Sequence, residues 1–157
     1  DSSLRLVGSE MCIRDRATLT THEEAGTIDS DEYQAASAEF YARHVSYGEA
    51  QEQRTGCEGA PNNSFIYNFM WGPTEFRATG NLVDFDVTNR LQEIDVPVLF
   101  MTGEFDEARP TTVAGFQQKI PGAQMIIIKD VAHASLSRAP ETYRQALEKF
   151  LDWVEGT

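Results

Sequence analysis

Two uninterrupted apolar runs, Val96 to Thr102 and Gln124 to Lys129, constrain this chain more than any other feature of its sequence. Neither alternates polar with apolar residues, so each is expected to be a strand buried on both faces rather than one with a solvated side. Residues 111–120 between them read as a helix closed by Pro121-Gly122. Strand, helix, strand implies parallel pairing, and hence an α/β protein. Two such strands need neighbours and covering layers, yet no other run of this kind, no internal repeat and no heptad pattern occurs in the 157 residues. The N-terminal half of a larger parallel sheet is therefore expected to be missing from the chain.

The remainder divides into three parts. Residues 1–16, DSSLRLVGSEMCIRDR, have neither helical period nor strand alternation and resemble translated sequencing-adapter read-through, which implies a native chain starting near Ala17. Residues 17–80 are expected to be mainly helical. Within them Asp29 and Glu32 form a capping-box pattern, Tyr33, Ala36, Phe40, Tyr41, His44 and Val45 recur at helical spacing, residues 46–63 are a polar connection, and the aromatic run Phe65, Tyr67, Phe69 and Trp71 enters the Gly72-Pro73 breaker. Residues 81–157 hold a short helix or turn at 88–93, the two strands, and a last helix opening at Pro140 with Tyr143, Ala146, Leu147, Phe150, Leu151 and Val154 along one side.

Charge and composition exclude several classes of function. With 13 Lys and Arg against 25 Asp and Glu, the net charge of −12 disfavours nucleic acid and anionic lipid as partners. No segment approaches the roughly 20 apolar residues of a bilayer-spanning helix. Cys12 and Cys57 make no disulfide framework and fall in no zinc-ligand spacing, which suits a cytoplasmic protein without a structural metal.

The chemistry is expected at the carboxyl edge of the sheet, where ligands gather in open parallel folds. The first strand delivers Gly103-Glu104-Phe105-Asp106-Glu107 and the second Asp130-Val131-Ala132-His133-Ala134-Ser135. Asp106 and His133 thus leave the same edge of neighbouring strands. A carboxylate that keeps one imidazole nitrogen protonated frees the other as a general base, which is two-thirds of a nucleophilic triad. The Gly-x-Ser-x-Gly elbow that would present the nucleophile does not occur in the chain. In the order Ser, acid, His, that serine is expected upstream of residue 17. His22 and His44 lack a matched partner and read as structural or surface residues.

Several segments arriving in order carry a family resemblance. HEEAGTIDSDEYQAASAEFYARHV, YNFMWGPTEFRATGNLVDFDVTNRL, VPVLFMTGEFDEARP and IIKDVAHASL together resemble the C-terminal half of a proline iminopeptidase (prolyl aminopeptidase) of the α/β-hydrolase superfamily, from about His22 to Val154. The resemblance implies a helical cap segment followed by the last strands of the hydrolase core, with Asp106 as triad acid and His133 as general base. It further implies that Glu75, of Gly72-Pro73-Thr74-Glu75-Phe76, and Glu107 hold the free α-ammonium group of a peptide or amino-acid amide. Neither metal nor organic cofactor is required. Aromatic residues near Phe69 and Trp71 are expected to line the pocket for the first side chain. An amino-acid amidase of the same superfamily is the alternative reading, and a non-catalytic binding protein of the same fold the alternative from another class.

Overall fold

The computed structural model describes residues 13–47 and 63–156, so Cys12, Cys57 and nearly all of the expected polar connection lie outside the described residues. Helix α1 (Ile13–Ala25) crosses the expected boundary at residue 17 and ends at Gly26, whose φ of +68° is the left-handed conformation favoured after a helix. His22 serves the turn that follows: its Nδ1 lies 2.8 Å from the Thr27 hydroxyl and 3.1 Å from that of Ser30.

Helix α2 (Asp31–Phe40) begins one residue later than a capping box on Asp29 requires. Ser30 is the cap instead, extended at φ −68° and ψ 147°, its hydroxyl accepting the Tyr33 N–H at 3.3 Å. Asp31 and Glu32 then lie in the first turn, where the helix dipole favours negative charge. Tyr33, Ser37 and Phe40 share the buried face, and the helix runs on into a π-helical turn, Tyr41–Val45.

Helix α3 (Ser64–Met70), capped by the Asn63 side chain, carries the aromatic run. Phe65 and Phe69 stack on each other, Phe65 being 78% exposed. From Trp71 to Gly80 the chain makes a closed loop, because the N–H groups of Thr79 and Gly80 both donate to the Trp71 carbonyl at 2.7 Å. Gly80 is required there, since an added Cβ would lie 2.5 Å from the Met70 backbone. A 3-10 turn, Thr88–Glu93, follows as expected.

Strands β1 (Leu99–Gly103) and β2 (Gln124–Ile128) pair in parallel, Leu99 opposite Gln124 and Gly103 opposite Ile128. Helix α4 (Pro110–Gln117), with its proline at the first position, joins them and packs on both. The short α5 (Ser135–Arg138) leads to α6 (Pro140–Gly156), which contacts β2. The strands are less covered than their composition predicts. Ile128 is buried but Ile127 is 48% exposed, and on α6 Ala146 is buried while Leu147 and Leu151 are open. Two strands and their helices supply too few layers to enclose faces this apolar.

Candidate active site

The two strands end in loops that are hydrogen-bonded to each other. The Glu104 N–H donates to the Ile128 carbonyl at 2.9 Å, the Phe105 N–H to Val131 at 3.0 Å, and the Asp130 N–H to the Glu104 carboxylate at 3.2 Å. Asp130 takes the left-handed conformation, φ +58°, at the bend that separates β2 from the histidine loop, a conformation Asp tolerates better than most residues. Gly103 makes the close approach possible: a Cβ there would lie 2.3 Å from the Ala132 carbonyl oxygen.

Asp106 is held from all sides. Its carboxylate, only 6% exposed, accepts the Ala108 N–H at 2.9 Å and the Gly103 N–H at 3.3 Å, with the Thr102 hydroxyl 3.2 Å away. Its remaining partner is His133 Nδ1 at 3.0 Å. Facing a carboxylate, Nδ1 carries the proton and Nε2 is left as an acceptor. Burial works against the charged imidazole, but the hydrogen bond and charge of Asp106, with the charges of Glu107 and Glu75, outweigh it and raise the His133 pKa above the ordinary imidazole value. The His133 side chain remains 55% exposed, so a reacting group has access to it.

Glu107 adjoins this pair, its carboxylate 3.8 Å from His133 Nδ1. Its pKa is raised by burial first and then by the Glu75 charge, with Asp106 adding to the effect and His133 opposing it. Glu75 arrives from the closed 71–80 loop, whose next residue, Phe76, is anchored edge-on among Tyr33, Phe40 and Tyr41 at centroid distances of 6.3, 5.0 and 6.2 Å. Thr74 ties the same loop to α1 through the Glu23 carboxylate, which Tyr33 also donates to.

Two tyrosines that sequence reasoning did not single out for chemistry complete the cluster. Tyr67 donates to Glu75 at 3.4 Å, and Tyr41 feels the charges of both Glu75 and Glu107. Burial, reinforced by these carboxylates, pushes both phenols up to about 12. The cluster thus gathers excess negative potential next to a hydrogen-bonded acid and imidazole. Such an arrangement can take a proton at Nε2 while holding a cation a few ångströms away. All four side chains expected from sequence, Asp106, His133, Glu75 and Glu107, interact in one place.

No protein-family model matches the chain. Among curated proteins it is 37% identical over 140 residues to a proline iminopeptidase of Heyndrickxia coagulans, covering 87% of this chain and 48% of that protein. A proline iminopeptidase of Thermoplasma volcanium is 31% identical, with 87% of this chain and 47% of that protein covered. The chain spans about half the length of the curated relatives it matches, their C-terminal half. Among solved structures, VinJ superposes with a TM-score of 0.75 at 28% identity, covering 98% of this chain and 55% of that one. A proline iminopeptidase of Mycobacterium smegmatis superposes at 0.69 with 34% identity, covering 88% and 47%. The chain has part of an α/β-hydrolase fold, and it resembles the proline iminopeptidases through most of its length.

Proposed function

We propose that this chain supplies the acid and base of a serine aminopeptidase that releases an N-terminal residue, with proline the expected one, from peptides. The observation that carries the reading is the buried Asp106 carboxylate on Nδ1 of an accessible His133, with the carboxylates of Glu107 and Glu75 next to the pair. Asp106 fixes the tautomer and stabilises the imidazolium that forms when Nε2 takes the proton of a nucleophile. Glu75 and Glu107 repel each other, and a substrate ammonium placed between them relieves that repulsion. Bound there, it offsets the burial and the Glu75 charge that raise the Glu107 pKa, and orients the scissile carbonyl towards the base. Residues 17–80 act as the cap that brings Glu75 to the site, and residues 81–157 as the C-terminal part of the catalytic core.

The nucleophilic serine belongs to a segment encoded upstream of residue 17. It attacks the carbonyl of the first residue, His133 takes its proton and returns it to the leaving amine, and water hydrolyses the acyl-enzyme. The test has two steps. The nucleotides upstream are expected to encode Gly-x-Ser-x-Gly, and another residue in place of the serine would favour a binding protein. The complete product is then expected to cleave an N-terminal proline arylamide in preference to free amino-acid amides. It should leave N-acylated analogues and plain esters nearly untouched. Preference for free amino-acid amides would make it an amidase, and preference for esters or N-acylated substrates would remove the roles given to Glu75 and Glu107.

A further inference from the structure

The last carbonyls of any helix lack intrahelical partners, and two at the end of the α2 extension, those of His44 and Val45, are satisfied by the site loops. The π-helical turn Tyr41–Val45 closes with the Ser46 N–H on the Tyr41 carbonyl at 2.8 Å. The His44 carbonyl then receives two N–H groups at 3.2 Å, one from Glu107 and one from His133. The Val45 carbonyl receives the Ala134 N–H at 2.9 Å. The His44 imidazole adds a third tie, its Nδ1 lying 2.9 Å from the Phe105 carbonyl oxygen. Since a carbonyl only accepts, Nδ1 of His44 carries the proton in this bond. The ring itself is half-buried, 5.1 Å from that of Phe40, so its position is fixed by the α2 core. One residue therefore grips the acid loop through Phe105 and Glu107, and the histidine loop through the backbone of His133.

We propose that His44 is a positioning residue: it registers the helical segment on both loops and thereby sets the distance of Glu107 and His133 from each other. The roles of those two residues rest on the aminopeptidase reading, whereas the grip on their backbones does not. Touching no reacting atom, His44 acts through the residues it holds. A π-turn, which widens the helix by one residue at its end, aims the carbonyls of His44 and Val45 outward at the loops.

The test uses the complete protein that contains this chain. His44→Asn keeps an N–H near the position of Nδ1, His44→Gln places its N–H near that of Nε2, and His44→Leu removes the donor. Leaving the Phe105 carbonyl unpaired is expected to lower kcat/KM about ten-fold in the Leu and Gln variants, while Asn stays within about three-fold of the parent. In the same two variants the acidic limb of the pH profile is expected at lower pH, because His133 loses part of the negative surroundings that raise its pKa. Should His44→Leu not fold, the contrast between Asn and Gln carries the test alone. Asn and Gln variants that behave alike, or a loss of rate with the acidic limb unmoved, would overturn the proposal. Running each variant on a free-amine substrate and a plain ester separates the two readings. If the parent prefers the ester, the aminopeptidase reading fails, but the limb must still shift with His44 for the positioning role to stand.

Discussion

Asp106 and His133 owe their legibility to chain position: each follows an apolar strand, and parallel strands place both following loops at one edge. What the sequence did not disclose is how the carboxylates share one electrostatic field. Glu75 comes from a loop far upstream, and the anchoring of Phe76 by Tyr33, Phe40 and Tyr41, with the tie from Thr74 to Glu23, helps bring it near Glu107. Tyr67 was one aromatic in a run of four, with no periodicity to set it apart until its hydroxyl met Glu75. The field has a measurable consequence. Glu107 helps to raise the His133 pKa, so Glu107→Gln in the complete enzyme is expected to move the acidic limb of kcat/KM to lower pH. The same substitution should raise KM for free-amine substrates by about ten-fold or more and change that of a plain ester little, which steady-state profiles on both substrates will show. Stability carries the same sign. A raised imidazole pKa contributes stability that is complete below the ordinary imidazole value and is lost as pH rises through the raised one. Glu107 has a raised pKa of its own, which costs stability once it ionises, so on the alkaline side of that window the denaturant midpoint of Glu107→Gln should exceed the parent's.

Among the elements, strands, connecting helix and terminal helix were legible because their apolar periods are unambiguous: β1, α4, β2 and α6 lie within a few residues of expectation. The start of α2 was misplaced because Asp29, Ser30 and Asp31 are all competent caps, and only the extended backbone of Ser30 decides among them. The aromatics of α3 fall at every second residue, which does not announce a helix, and the π-turn continues the helical spacing of α2 without standing apart from it. The π-turn closes with a hydrogen bond from Ser46 to Tyr41, which no residue pattern announces. The junction between β1 and the histidine loop depends most on a single residue. Gly103→Ala places a methyl against the backbone of Val131 and Ala132, which cannot swing aside as a side chain would. The loops must part, at a cost of about 1–3 kcal/mol. Thermal melts should show that loss of stability, and because Asp106 and His133 lie on opposite sides of the junction, kcat should fall further than stability alone accounts for. Unchanged kcat in a folded Gly103→Ala protein would mean that the Asp106–His133 distance does not depend on this contact.

At the scale of the whole molecule, the apolar strands and the open faces belong to one physical problem. A parallel sheet of two strands has no interior strand, so each presents a row of backbone donors and acceptors along one side. Phe65, Phe69, Phe85, Val96, Ile127 and Leu151 are all exposed, large apolar side chains that neighbouring strands and helices would cover. Proteins that match over their C-terminal half carry about as many residues again, and in a doubly wound sheet those residues supply the neighbouring strands and covering helices. The 157-residue chain made alone is accordingly expected to show no hydrolase activity and to associate through its strand edge, with light scattering that rises with concentration. On the proposed reading, co-expression with an upstream segment that supplies further strands and the serine should suppress that association and restore turnover. A chain that stays monomeric at high concentration by sedimentation would show that β1 and β2 need no further neighbour. Burst kinetics from it with an active-site acylating probe would show that its nucleophile is not the upstream serine.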